Sequence, residues 1–399
     1  MTMIEMLAVG VLSRVRNGLA VAGPPTEAEL LAMVRAASAD AGRVLGADDA
    51  HAVTARVKAE LWGLGPLQPL VDHPGATDVL VNGPDEVWLD CGAGLTRVHC
   101  PLGAEDDVRA LAVRLAAGSG RRLDEASPWV DARLERGVRL HAVIPPVSPH
   151  GTLISLRMLR RDPFDLAELV QAGCLPPAWA SVLDALVVSR AAFLISGGTG
   201  AGKTTLLAGL LSLAPAAERM VLVEDVGELW PRHPHVVRLE ARHANVEGRG
   251  SVTLEDLVRQ ALRMRPDRVV VGECRGAEVR DLLAALNTGH AGGCGTVHAN
   301  ATADVPARLE ALGALAGLTP AAVRAQAVAA LDAIVHVERS GTRRRVVEIA
   351  AVRRAGDGDL VLLPALTADR NDPSSPGIAG PGWGGLSRRL GLPAGGWAR

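Results

Sequence analysis

Phe193-Leu194-Ile195-Ser196, running into Gly197-Gly198-Thr199-Gly200-Ala201-Gly202-Lys203-Thr204, decides the fold of this chain. The first four residues read as a buried strand. The next eight fit G-x-x-x-x-G-K-[ST] in full. Leu206, Leu207, Leu210 and Leu211 then recur at helical spacing. Strand, glycine loop and helix in this order make a phosphate cradle. Glycines let successive backbone N–H groups turn inward, and the helix adds its positive N-terminal end. Lys203 is placed to reach the β- and γ-phosphates of a nucleoside triphosphate, and the Thr204 hydroxyl to ligate Mg²⁺. Gly197 through Thr205 are the candidate ATP-binding residues.

Three segments downstream carry candidate chemistry. Val221-Leu222-Val223-Glu224-Asp225-Val226-Gly227-Glu228 is an apolar strand ending in carboxylates. In an open α/β sheet the strand ends border the ligand crevice. A second apolar strand, Arg268-Val269-Val270-Val271-Gly272-Glu273, delivers Glu273 to the same border, where it is a candidate Mg²⁺ ligand beside Thr204. Asp267 sits at the wrong end of that strand. Thr288 to Ala299 holds His290 and His298 around four glycines, a loop entering a strand. Cys294 alone does not complete a metal site there. His298 is instead placed to donate to a γ-phosphate or sense its loss.

Charge and composition narrow the classes. The chain has 399 residues, 48% apolar and 22% charged, which fits a globular protein of two or three domains. A net charge of −2 gives no support to bulk electrostatic binding of nucleic acid. The five cysteines include no C-x-x-C pair, so neither a zinc ribbon nor a disulfide framework is indicated. No run approaches the ~18 apolar residues of a membrane span. Among 42 basic residues only Lys58 and Lys203 are lysines. A coding bias towards arginine explains the rest. Of the two lysines, Lys203 stands where a compact ammonium must approach phosphate.

Further out, residues 1–25 form an N-terminal segment ending in a Gly23-Pro24-Pro25 hinge. Residues 26–160 read as a mixed α+β domain: helices from Thr26 and from Asp48, a helix over Glu105 to Ala117, and short strands around Thr77–Asn82, Glu86–Asp90, Trp129–Leu134, Val138–Ile144 and Leu153–Met158. Residues 161–180 read as a linker. Strands and helices alternate over 181–366, which predicts a parallel sheet with helices on its faces. The Pro-, Gly- and Ser-rich residues 367–399 are expected to be disordered.

Taken in order, the phosphate loop, the acidic box Glu224–Leu229, the Gly272-Glu273 motif and the histidine box resemble the type II/IV secretion ATPase superfamily. The resemblance is strongest to its Tad/Flp pilus-assembly and conjugal-transfer-associated branch. Leu64-Gly65-Pro66-Leu67, Asp78-Val79-Leu80-Val81-Asn82-Gly83, Asp131-Ala132-Arg133-Leu134 and Ile144-Pro145-Pro146 extend it over about residues 26–365. Val226-Gly227 and the turn Glu135-Arg136-Gly137 depart from the family's common residues without removing a catalytic charge. The resemblance implies an α/β chain with a C-terminal RecA-like P-loop NTPase domain and a smaller N-terminal α+β domain. It implies a homo-hexameric motor using ATP and Mg²⁺ at the cytoplasmic face of the inner membrane, working on platform proteins of a pilus or secretion machine. No sequence-specific nucleic acid is expected. Glu228 is assigned to polarise the attacking water and Glu273 to support Mg²⁺, with exchange of these roles as the alternative. His298 couples the γ-phosphate to domain motion. Arg133, Arg139 and Arg157 are the candidate arginines reaching nucleotide from the N-terminal side. Two other readings are a DNA-translocating ATPase, for which the chain offers only small arginine groups such as Arg160-Arg161 and Arg343-Arg344-Arg345, and a catalytically weak nucleotide-binding scaffold.

Overall fold

The computed structural model describes residue 12, residues 25–393 and residue 395, apart from residues 41, 135–136, 159–161, 243–249, 357–358, 370–371 and 373–374. The expected Gly23-Pro24-Pro25 hinge, the Glu135-Arg136 turn and the Arg160-Arg161 pair fall wholly or mainly outside the described residues. The chain divides into two compact units, Met1–Leu159 and Arg160–Arg399. Among the described residues no helix is long and apolar enough to cross a membrane.

The first unit begins with two helices, α1 (Glu27–Asp40) and α2 (Ala47–Trp62). Thr26 caps α1 reciprocally with Glu29: the Glu29 N–H donates to Thr26 Oγ1, and the Thr26 N–H donates back to the carboxylate at 2.7 Å. Leu30, Val34, Val53 and Val57 seal the pair. A six-stranded antiparallel sheet follows, from β1 (Asp78–Val81), β2 (Val87–Asp90), β3 (Leu95–Val98), β4 (Trp129–Arg133), β5 (Val138–Val143) and β6 (Leu153–Met158), in the order β3-β2-β1-β6-β5-β4. Strand alternation turns Val79, Val81, Leu140, Ala142, Ile154 and Leu156 to one face, where α3 (Glu105–Gly118) covers them with Val108, Leu111 and Leu115. Strand β3, too polar to stand out in sequence, is nearly all exposed at the sheet edge.

In the second unit the alternating pattern closes into a nine-stranded sheet. Its strands are β7 (Phe193–Gly197), β8 (Met220–Glu224), β9 (Val236–Glu240), β10 (Arg268–Cys274), β11 (Cys294–His298), β12 (Ala333–Ser340), β13 (Arg343–Arg354), β14 (Leu360–Thr367) and β15 (Ile378–Ala379). The order is β15-β14-β13-β12-β7-β11-β10-β8-β9, parallel from β12 to β9 and antiparallel from β12 to β15. Alternate residues feed two cores. Phe193, Ile195 and Leu222 pack with α4 (Leu166–Gln171), α5 (Ala180–Val188) and α6 (Lys203–Leu211). Leu194, Val221 and Val223 pack with α7 (Leu254–Leu262), α8 (Glu278–Asn287), α9 (Val305–Leu315) and α10 (Pro320–Ala330). Apolar residues on both faces are what a sheet covered on both sides requires.

Two expectations are corrected here. Residues 161–180 are no free linker, because Leu169, Leu175 and Trp179 are buried in the core of the second unit. Part of the tail beyond Thr367, expected to be disordered throughout, is ordered among the described residues. Ile378–Ala379 pairs with β14, and α11 (Trp383–Leu390) buries Trp383, Leu386 and Leu390. The Trp179 indole N–H donates to Pro376 O at 2.8 Å. Glycine and proline shape these turns, and three well-spaced apolar residues suffice to anchor them.

Candidate nucleotide-binding site

The loop leaves β7 at the centre of the nine-stranded sheet, flanked by β11 and β12, with Gly197 opposite both His298 and Val337. A side chain at Gly197 would meet Val337 O at 2.4 Å, so glycine is demanded by close packing. Gly202 adopts φ 94° just before α6, a left-handed turn that brings the loop's N–H groups round to the helix N-terminus. Ala201 plugs the loop into the core. Nothing lies within 4 Å of where a Gly198 side chain would project. Thr204 is half-buried and Thr205 exposed on the first turn of α6.

Lys203 is 6% exposed. Its Nζ donates to Gly197 O at 3.0 Å and Gly198 O at 2.9 Å. The His298 ring lies 3.3 Å away at Nδ1, and its Nε2 is 2.7 Å from Glu273 Oε1. The other Glu273 oxygen accepts from Arg275 at 2.8 Å, and Arg275 reaches Asp225 at 3.6 Å. A continuous chain of charge, Lys203–His298–Glu273–Arg275–Asp225, therefore borders the loop. Burial pulls Lys203 below the usual lysine range against the attraction of Glu273. Burial and the neighbouring Lys203 ammonium hold His298 down too, against Glu273. Burial opposes the charge on Glu273, but Arg275, His298 and Lys203 outweigh it and hold the carboxyl below its ordinary range. The ring turns Nε2 to Glu273 and Nδ1 to Lys203, so it bridges the ammonium and the carboxylate.

The carboxylates of the acidic box have different environments. Glu224 is buried, and its Oε1 accepts the N–H groups of Glu228 and Leu229 at 2.8 and 2.9 Å. It shapes the turn that presents Glu228. Burial pushes its carboxyl up to about 7. Glu228 is half-buried and close enough to Lys203 and Arg275 to act on both electrostatically. Thr296 Oγ1, on the strand carrying His298, donates to Gly272 O at 2.7 Å and ties the two boxes together. His290 stays outside the network, its Nδ1 3.3 Å from Ala285 O. Arg275 and Asp225 were not singled out from the sequence. The available signal was spacing: Arg275 follows Glu273 by two residues, the period that returns a strand to one face.

Arg133, Arg139 and Arg157 belong to the first unit. They are consecutive cross-strand partners, Arg133 opposite Arg139 and Arg139 opposite Arg157, on the face of the sheet turned from its core. Aspartates offset this row of like charge: Arg139 lies 3.5 Å from Asp131, and Arg157 Nε donates to Asp78 at 2.9 Å.

The loop residues fit a nucleotide polyphosphate, through an N-terminal helix turn, a buried ammonium and open space above Gly198. Thr204 and Glu273 would be the hydroxyl and carboxylate nearest a Mg²⁺ on the phosphates, with the Glu273 oxygens here engaged by His298 and Arg275.

The type II/IV secretion system protein family matches residues 60–348. A protein named for conjugal transfer in Mycobacterium tuberculosis H37Rv is 56% identical over 321 residues, which cover 79% of this chain and 91% of that protein. Type IV secretion system protein PtlH of Bordetella pertussis is 34% identical over 315 residues, covering 71% of this chain and 92% of PtlH. The pilus retraction motor PilT, solved with bound ADP, superposes with a TM-score of 0.51 at 21% identity, covering 75% of this chain and 80% of that one, a likeness of fold. A RecA-like domain preceded by a smaller α+β domain, and the match to family and relatives across most of the chain, make this protein a member of the type II/IV secretion ATPase superfamily.

Proposed function

We propose that the chain hydrolyses ATP to power a pilus-assembly, secretion or conjugation machine. The observation that carries this reading is the charge chain from Lys203 to Asp225 set against the phosphate loop. Lys203 and the loop N–H groups hold the β- and γ-phosphates, with Gly197 to Thr205 as the binding segment. Mg²⁺, held by Thr204 and supported by Glu273, supplies charge neutralisation on the phosphates when bound. Glu228, presented by the Glu224-capped turn, polarises the attacking water. His298 bridges Lys203 and Glu273, so a change at the γ-phosphate reaches the Glu273–Arg275 pair through one ring. Arg133, Arg139 and Arg157 stabilise the charge developing in transfer, a task that suits a permanent, forked cation. The working form is a hexamer on the cytoplasmic side of the membrane, acting on membrane platform proteins in the Tad/Flp manner.

Phosphate release by the purified chain tests the assignment. Lys203→Ala should abolish nucleotide binding and turnover together. Glu228→Gln should keep binding and lower kcat by roughly 10²- to 10⁴-fold, as loss of a general base does. Wild-type turnover in the Lys203 variant would sink the reading. The relative named for conjugal transfer favours a DNA-translocating variant of the same motor as the second reading. Retention of duplex DNA that falls steeply with salt would support that variant.

A further inference from the structure

The β12–β13 hairpin carries cationic groups that the charge network leaves unused. Strand β12 runs beside β7, passes the loop at Val337, and continues to Ser340 before β13 returns at Arg343. Arg339 and Arg344 are direct cross-strand partners, so their side chains share one face of the hairpin. Arg344 Nε donates to Gly200 O at 2.9 Å. A side chain on Gly202 would meet Arg344 Cδ at 3.2 Å, and one on Gly200 would meet Arg339 NH1 at 3.1 Å. Both arginines therefore lie against the phosphate loop of the same chain. A cleft of about 460 Å³ opens between loop and hairpin, lined by Gly198, Thr199, Asn300, Arg339 and Gly341 among others.

Like charges directly opposite each other in a sheet repel. The arginine row of the first unit is offset by Asp78 and Asp131. No carboxylate lies within ion-pair reach of Arg339 or Arg344 among the described residues. Arg339 Nε donates to Gly341 O at 3.0 Å, and Arg344 Nε to Gly200 O. The forked ends of both guanidinium groups remain for an anion, and a repelling pair gains most from one bound between its members.

We propose that Arg339 and Arg344 form a clamp, within the same chain, on the polyphosphate of the nucleotide held by the loop, so that the hairpin sets nucleotide affinity. This rests on the nucleotide reading of the loop. It gives Arg343-Arg344-Arg345, the basic group weighed above for DNA, a different ligand for its central member.

Titration calorimetry of the full chain with Mg²⁺–ATP, Mg²⁺–ADP and AMP tests the clamp, using wild type, Arg339→Ala, Arg344→Ala, Arg344→Lys and Lys203→Ala. Loss of one charge-assisted contact should raise the Kd for ATP roughly tenfold in each alanine variant. Arg344→Lys should recover part of the loss, and AMP binding should change least because it offers a single phosphate. The thermal midpoint without nucleotide should change little, since each variant loses one exposed hydrogen bond and one repulsion together. Wild-type ATP affinity in both alanine variants, with binding lost only in Lys203→Ala, overturns the clamp and leaves the loop reading standing. Unchanged ATP affinity with weakened, salt-sensitive DNA retention overturns it in favour of nucleic acid. Failure of the wild-type chain to bind any nucleotide overturns both.

Discussion

Glu224 and Glu228 stand four residues apart in one acidic box yet have opposite environments. Glu224 is 3% exposed and spends one oxygen on two backbone N–H groups. Its carboxyl is raised to about 7, burial being the main cause. A carboxyl whose folded pKa lies above its unfolded value favours folding while protonated, and that advantage fades as pH rises through the folded value. Glu224→Gln keeps the carbonyl oxygen that caps the turn and removes the buried charge. The variant should melt close to wild type at pH 5 and higher than wild type at pH 8. The gap at pH 8 should be roughly 3 kcal/mol, converted from the rise to about 7. Thermal melts at the two pH values check this; a gap that does not widen with pH would discard the buried-charge account.

The elements of the loop and its flanking boxes were legible because each combines a strand pattern with chemistry-bearing residues at its end: Ser196 into glycines, Val223 into Glu224, Val271 into Glu273. Short, mixed-polarity elements were not. Strand β9 is half-exposed along its length, so no clear alternation marks it. Arg275 was passed over because its second partner, Asp225, comes from a neighbouring strand end that only the fold brings beside it. Helix α11 was hidden by tail-like composition, since Gly384 and Gly385 sit within it. Its packing is nonetheless substantial. Trp383 is 4% exposed and Leu386 fully buried. Trp383→Ala should cost roughly 3 kcal/mol or more, as truncating a buried aromatic does. Denaturant unfolding should show a lower midpoint for the second unit. An unchanged midpoint is what a merely adherent tail would give.

At the scale of the molecule, the two units have separate apolar cores: Leu64 to Leu156 for the main core of the first, Leu169 to Leu390 for the cores of the second. The phosphate loop, the Lys203–Asp225 charge chain and the hairpin arginines all belong to the second unit. Arg133, Arg139 and Arg157 belong to the first, which carries no loop of that kind. Binding and turnover should therefore come apart when the chain is divided. A fragment beginning at Asp162 and ending at Pro393 keeps its own cores and should bind Mg²⁺–ATP with an affinity near that of the whole chain. Its turnover should fall by two orders of magnitude or more, about what loss of transition-state arginines costs. Arg133→Ala, Arg139→Ala and Arg157→Ala in the full chain should reproduce the effect in part, lowering kcat with little change in ATP affinity. Full turnover by the fragment would remove the first-unit arginines from the chemistry. Loss of ATP affinity along with turnover, in a fragment that still melts cooperatively, would instead make those arginines part of nucleotide binding.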